Sequence, residues 1–91
     1  MSNQSCMRCY ISGTVQGVWY RASAKIEADK LGVKGWAKNL NDGTVEVYAC
    51  GSNEILQRFY YWLEQGPRLA KVENVIREDV PWQDLDGFEV F

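Results

Sequence analysis

The stretch GTVQGVWYR, residues 13–21, joins a segment with the composition of a strand to one with the composition of a helix. Residues 22–31 contain alanines and Lys/Glu pairs, and Gly32 stands where a C-terminal cap belongs. A helix that begins within residues 19–22 has about four main-chain N–H groups without an acceptor, which Ser, Thr, Asp or Asn normally caps. No such residue precedes this helix, and Arg21 in its first turn opposes the helix dipole. The pattern indicates a helix start that lacks a negative partner.

Strands are predicted on both sides of this helix. CMRCYISG (6–13) is predicted as the first strand and GWAKNL (35–40) as the second. NDG (41–43) is a hairpin signal, and TVEVYAC (44–50) follows it as a third strand. Alternation in the third strand separates Val45, Val47 and Ala49 from Glu46, Tyr48 and Cys50.

A second helix and two final strands are predicted after the hairpin. Asn53 is the expected N-cap of EILQRFYYWLEQ (54–65), and Gly-Pro at 66–67 ends that helix. Its core face is expected to contain Ile55, Phe59 and Leu63, which recur at four-residue intervals. KVENVIREDV (71–80) and GFEVF (87–91) have the pattern of strands.

The element order β-α-β-β-α-β with a short added strand is typical of the α+β ferredoxin-like split β-α-β fold, an antiparallel sheet with both helices on one face. The 91 residues and 10.4 kDa favour one domain over residues 1–91, with a flexible segment over 1–5. This topology serves many functions, so the function has to be argued from the site.

Composition excludes several classes of function. The net charge of -2 argues against a general nucleic-acid binder, and the absence of histidine removes the commonest general base and metal ligand. The polar start MSNQS is followed by no long apolar run, so neither a signal peptide nor a membrane span is expected. We expect a cytoplasmic monomer that does not bind nucleic acid or membrane.

The loop before the first helix has the features of an anion receptor. Main-chain N–H groups that converge at a helix start attract anions, and the planar fork of Arg21 matches phosphate oxygens. Gly17 permits a positive φ or a close approach of the backbone to phosphate, while Gly13 is expected to end the first strand. Composition alone favours an ordinary glycine turn with a solvated arginine. The Walker spacing GxxxxGK[ST] is absent.

Two stretches resemble the signatures of the acylphosphatase family. GTVQGVWYR (13–21) is similar to G-x-V-Q-G-V-x-F-R, and GWAKNLNDGTVEV (35–47) resembles the second signature, G-[WY]-[AV]-x-N followed by G-[ST]-V-E. The likeness extends from about Cys6 to Phe91. Tyr20 stands where phenylalanine is usual, a change that keeps the aromatic ring.

The resemblance implies an enzyme that hydrolyses the carboxyl-phosphate bond of acyl phosphates to a carboxylate and inorganic phosphate, without a metal or other cofactor. Its catalytic residues would be Arg21, on the phosphoryl group, and Asn39, on the attacking water. The phosphate-binding residues carried over by position are Gln16, Gly17, Val18, Trp19, Tyr20 and Arg21. A leaving carboxylate of pKa about 4 needs no general acid, which agrees with the absence of histidine.

Alternatives remain at this stage. The same scaffold could be a non-catalytic anion-binding or regulatory interaction module, and an RNA-binding module is weaker because the chain is acidic and lacks the aromatic RNP pattern. Asn39, before LNDG, also fits a simple turn residue. Trp19 occupies a variable signature position and is expected to border the site, whereas Trp62 is expected to pack in the second helix.

The three cysteines predict one disulfide. Cys6 and Cys9 have CxxC spacing, but on a strand this odd separation points them to opposite faces, which argues against a shared metal or redox site. In the ferredoxin-like arrangement the first strand runs antiparallel to residues 44–50, so Cys6 and Cys50 become neighbours. We expect a Cys6–Cys50 bridge under oxidising conditions with Cys9 free and buried; a reducing cytoplasm favours the free thiols.

Overall fold

The computed structural model describes residues 3–91 and contains seven elements in the predicted order. They are β1 (Gln4–Thr14), α1 (Tyr20–Leu31), β2 (Lys34–Asn39), β3 (Val45–Ser52), α2 (Asn53–Gln65), β4 (Lys71–Val80) and β5 (Phe88–Val90). One five-stranded sheet has the order β4-β1-β3-β2-β5. Both helices pack on the same face of it, which confirms the ferredoxin-like arrangement. Within the described part of the chain, no helix is both long and apolar enough to span a membrane.

The sheet is mixed, whereas an antiparallel sheet was expected. The difference lies in the direction of the short fifth strand. β1, β2, β3 and β4 pair antiparallel, whereas β5 pairs parallel with β2. The cause is the connection over 81–87, which starts from the β4 edge and crosses the face opposite the helices. Along this path Gln83 N–H donates to Cys6 Sγ at 3.2 Å, and Gly87 oxygen accepts from Gly35 N–H at 2.9 Å.

The main core lies between the sheet and the helices. The predicted alternation is confirmed on β1 and β3, whose helix-facing side chains are fully buried. These are Met7, Cys9, Ile11, Val45, Val47 and Ala49. From α2 they meet Leu56, Phe59 and Leu63, with Ile55 only half-buried at the edge. From α1 they meet Tyr20, Ala24 and Ala28, spaced four residues apart on one face of the helix.

The opposite face carries a second, smaller cluster. Cys6, Tyr48 and Cys50 are buried there, because segment 81–87 covers them and Leu85 packs against them. Glu46 is also buried and lies between Arg8 of β1 and Lys38 of β2, with N–O distances of 3.4 and 3.7 Å. Cations on both neighbouring strands compensate the desolvated carboxylate.

Several predicted boundaries are wrong by one or two residues. Ser52, not Asn53, caps α2: its extended backbone places Oγ to accept from Ile55 N–H at 3.3 Å, and Asn53 is the first helical residue. Gln4 and Ser5 pair with Ser52 and Gly51 of β3, so the first strand begins at Gln4 and not at Cys6. Within the segment expected to be flexible, Asn3 oxygen accepts from Asn53 N–H at 2.9 Å, and residues 1–2 lie outside the described residues.

Gly13 lies inside β1, which continues to Thr14, so it does not end the strand as expected. The pairing with β4 shifts between Ser12 and Gly13, as at a β-bulge. A Cβ on Gly13 would lie 2.1 Å from Lys71 oxygen, and its φ is +121°. Glycine is therefore required where the two backbones approach each other most closely.

A Cys6–Cys50 disulfide joins β1 to β3, and the two residues are direct register partners, as the face and direction argument predicts. Cys9 is free and buried on the other face of β1. Burial raises the pKa of the Cys9 thiol to about 12, although Arg77 opposes this shift. Because the thiolate is the reactive form, Cys9 is a packing residue and not a nucleophile.

The hydroxyl of Tyr20 ties the two helices together. It is buried and donates to the main-chain oxygen of Leu63 at 2.6 Å. Leu63 lies in the last turn of α2, where carbonyl groups have no intrahelical donor. Burial also raises the pKa of Tyr20, which keeps this donor protonated. The departure from phenylalanine at this position therefore adds a buried hydrogen bond.

We predict that Tyr20→Phe lowers the free energy of unfolding by about 1–2 kcal/mol, because the oxygen of Leu63 loses its donor in a buried place. Tyr61→Phe is the matched control, since Tyr61 is 61% exposed, and it should change stability by less than about 0.5 kcal/mol. Urea unfolding of the three proteins measures the difference. Equal effects of the two substitutions would contradict the assigned hydrogen bond.

Candidate active site

Strand direction brings three chain segments to one edge of the sheet. β1 and β2 are each antiparallel to β3, and β5 is parallel to β2, so the carboxyl ends of β1, β2 and β5 share that edge. Loop 15–19 follows β1, Asn39 is the last residue of β2, and Val90 is the last residue of β5. Residues distant in sequence therefore meet around the start of α1.

The start of α1 has no side-chain cap, as the sequence predicts. Trp19 is the N-cap residue, its side chain makes no capping hydrogen bond, and no acidic residue lies in the first turn. The first helical bond runs from Ser23 N–H to Trp19 oxygen at 2.9 Å. The N–H groups of residues 19–22 therefore precede the helical hydrogen-bond ladder, and with the dipole they create a positive site.

The loop reaches this geometry through two left-handed residues. Gly17 has φ +76°, and a Cβ there would meet nothing within 4 Å. The positive φ therefore requires glycine at this position, and the space beside it is open. Trp19 has φ 66°. It is the only non-glycine residue within 3–91 that has a positive φ. A side chain in this region costs about 1–2 kcal/mol.

Arg21 extends from the first turn of α1 towards the end of β5. Its Nη1 donates to the main-chain oxygen of Phe91, and Phe91 N–H in turn donates to Ala37 oxygen of β2 at 2.9 Å. A guanidinium carries five N–H donors, so this contact orients the group and leaves donors for an anion. Arg21 is thus held at the same edge as Asn39.

Gln16 has a role that the sequence analysis missed. Its Nε2 donates to Leu40 oxygen and to Thr44 oxygen, both at 2.9 Å, and so joins the loop to the β2–β3 turn. The side-chain amide has only two N–H groups, and both are used. The side chain of Gln16 therefore has no N–H left to donate to an anion. A glutamine within a glycine-rich loop was the sole hint of this contact.

The turn that Gln16 holds is itself well ordered. Leu40 N–H donates to Thr44 oxygen at 2.8 Å, and Asp42 Oδ1 accepts from the N–H and hydroxyl of Thr44 at 3.0 and 2.6 Å. The bonds from Thr44 lower the pKa of Asp42. Asn39 directly precedes this turn, its backbone pairs with Val45, and its side chain is exposed. The turn thus presents Asn39 to solvent from a fixed backbone.

A cavity of about 370 Å³ lies beside the helix start. It is lined by Val15, Gly17, Trp19, Tyr20, Arg21 and Ala22, together with Val90 of β5. The positions of two tryptophans can be compared with the sequence analysis. Trp19 borders the cavity, as expected, and Trp62 packs in α2 with its ring 5.6 Å from that of Tyr20.

Residues 7–90 match the family model described as Acylphosphatase. The chain belongs to the acylphosphatase family. An acylphosphatase of Legionella pneumophila (strain Corby) is 56% identical over 90 residues, which cover 99% of each chain. The solved structure of an acylphosphatase from Coxiella burnetii has a TM-score of 0.93 and 39% identity, and the match covers 98% of this chain and 94% of that one. For the acylphosphatase from Bacillus subtilis the TM-score is 0.92 at 32% identity, with 96% and 98% covered.

We predict that Gln16→Glu lowers the free energy of unfolding by about 1–3 kcal/mol at neutral pH, because a carboxylate cannot donate to the two carbonyl oxygens that it faces. The matched control is Gln57→Glu on the exposed side of α2, expected to change stability by less than about 0.5 kcal/mol. The deficit of Gln16→Glu should shrink as the pH falls from neutral towards about 4, because the facing carbonyl oxygens raise the pKa of the glutamate in the folded protein and its protonation regains one donor. Denaturant unfolding at both pH values measures this, and a deficit that does not depend on pH would contradict the proposed contact.

Proposed function

We propose that this chain hydrolyses the carboxyl-phosphate bond of acyl phosphates, giving a carboxylate and inorganic phosphate, without a metal ion. The observation that carries the proposal is the uncapped start of α1 with Arg21 in its first turn, beside the end of β2 that bears Asn39. Membership of the acylphosphatase family supports the same reaction. The substrate is a small molecule, and the chain acts as a monomer in the cytoplasm.

The phosphoryl group binds at the loop. Main-chain N–H groups of residues 16–21 donate to its oxygens, and the positive end of the α1 dipole favours its negative charge. Arg21 supplies a planar cationic fork, whose orientation follows from its bond to Phe91 oxygen. Negative charge that shifts onto the phosphoryl and leaving oxygens is stabilised by donors that are already in place, the main contribution that a protein makes to phosphoryl transfer.

Asn39 orients the attacking water. The oxygen of its exposed amide can accept a hydrogen bond from the water and the amide N–H can donate one, and so direct a lone pair of the water towards phosphorus. The Gln16 bonds to Leu40 and Thr44 oxygens set the position of Asn39 relative to the loop. The loop and the β2–β3 turn therefore act as one unit, which is a condition for in-line attack.

The reaction balances without a protein nucleophile. The water oxygen bonds to phosphorus while the bond between phosphorus and the acyl oxygen breaks, and the carboxylate leaves with the electron pair. The proton of the water passes to an oxygen of the phosphoryl group. Since the leaving carboxylate has a pKa of about 4, no residue has to protonate it.

We predict hydrolysis of benzoyl phosphate that is unchanged by excess EDTA and competitively inhibited by inorganic phosphate, because the donors that bind the substrate phosphoryl group also bind the product. A spectrophotometric assay of the purified protein measures both effects. Loss of activity on chelation that a divalent cation restores would overturn the metal-free reaction. Tight phosphate binding with no turnover would instead favour a non-catalytic anion-binding or regulatory module.

We predict different defects for the two catalytic residues. Arg21→Ala should weaken phosphate binding and lower kcat, each by at least about tenfold, because it removes the cationic fork. Asn39→Ala should lower kcat by about 100-fold with phosphate binding within about twofold of wild type, because it removes only the contact to water.

Arg58→Ala and Asn53→Ala, both at exposed positions in the first half of α2, which starts from the opposite edge of the sheet, are the matched controls and should change neither quantity. Phosphate titration by calorimetry and steady-state kinetics separate the two effects. Equal loss of phosphate affinity in Arg21→Ala and Asn39→Ala would refute the division of roles.

A further inference from the structure

The cavity beside the loop has two kinds of wall. One part offers the polar groups of Gly17 and Arg21, which serve an anion. The other part is apolar and is made by Val15, Trp19 and Val90. A phosphoryl group needs only the polar part, so the apolar wall calls for a separate explanation.

Trp19 is the most unusual residue of this wall. Its side chain is 75% exposed, although an indole is among the side chains whose burial stabilises a protein most. Its backbone is also held in the left-handed region at φ 66°. Strained residues that persist at a ligand site, with an exposed apolar side chain, indicate a surface that a ligand covers. Val90 is also 39% exposed at the same cavity.

Chain geometry links this wall to the phosphate site. Trp19 contributes its main-chain N–H to the uncapped helix start while its side chain lines the cavity. Arg21, two residues further on, lines the same cavity and is tied to Phe91, the neighbour of Val90. A group attached to a bound phosphoryl through one oxygen therefore lies within reach of the indole and of Val90.

We infer that the wall formed by Trp19, Val15 and Val90 binds the acyl group of the substrate, and that the chain prefers acyl phosphates with an aromatic or branched apolar acyl group over acetyl phosphate. The inference rests on the proposed function and assigns its substrate class. Burial of an apolar acyl group against this wall removes exposed surface from both partners, whereas an acetyl group is too small to cover the indole.

Paired substrates and inhibitors test the acyl site. For Trp19→Ala we expect the ratio of KM for benzoyl phosphate to KM for acetyl phosphate to rise about tenfold. Trp19→Phe should restore most of the preference. Trp82→Ala, at a half-exposed tryptophan that does not line the cavity, is the matched control and should leave both KM values unchanged. Trp19→Gly, which removes the indole and relieves the left-handed backbone, serves if the alanine variant does not fold.

Binding of two phosphonates gives a readout that does not depend on turnover. Wild type should bind benzylphosphonate more tightly than methylphosphonate, and Trp19→Ala should abolish that difference in affinity. If wild type hydrolyses both acyl phosphates but the Trp19 variants leave the KM ratio unchanged, the acyl site is wrong and the proposed function stands. If wild type hydrolyses neither substrate, the proposed function itself fails. Equal affinity of wild type for the two phosphonates would also overturn the acyl site.

Discussion

The structure depends on main-chain N–H groups at the start of α1 that no side chain caps. An ordinary cap would place an oxygen where the first turn opens, and that oxygen would compete with an anion for the same donors. The loop avoids this with two left-handed residues, Gly17 and Trp19, so that the chain turns from β1 into the helix without presenting a side-chain acceptor. Arg21 adds positive charge to an end of the helix that is already positive. Such an arrangement is unfavourable without a counter-charge and favours an anion at this helix start.

The topology of the sheet brings the other groups to this helix start. β1, β2 and β5 run in the same direction, so their carboxyl ends lie at one edge. Main-chain and side-chain bonds then join the three ends: Gln16 binds the β2–β3 turn, and Phe91 bridges Arg21 and Ala37. The site is consequently supported by hydrogen-bonded strands rather than by long loops, which favours a fixed geometry.

Much of this was predictable from periodicity and local chemistry. The alternation of Val45, Val47 and Ala49 identified a core face because successive strand residues point to opposite sides. The same parity, combined with the antiparallel direction of β1 and β3, identified the Cys6–Cys50 pair. Boundaries were less predictable where neighbouring residues have similar preferences. Ser52 and Asn53 are both favourable N-cap residues. Ser52 is the cap because its pairing with Gln4 keeps its backbone extended.

The amino-acid sequence by itself determined the element order, the uncapped helix with its arginine, and the faces of the strands, since each depends on residues close together in the chain. Only the tertiary structure decided which of these features meet. Four features join residues more than twenty positions apart. They are the parallel pairing of β5 with β2, the covering of the second face by segment 81–87, the hydrogen bonds from Gln16 to the turn after Asn39, and the apolar wall of Trp19 and Val90. Such contacts follow from the paths of the connections and from close packing, which no local pattern in the sequence encodes.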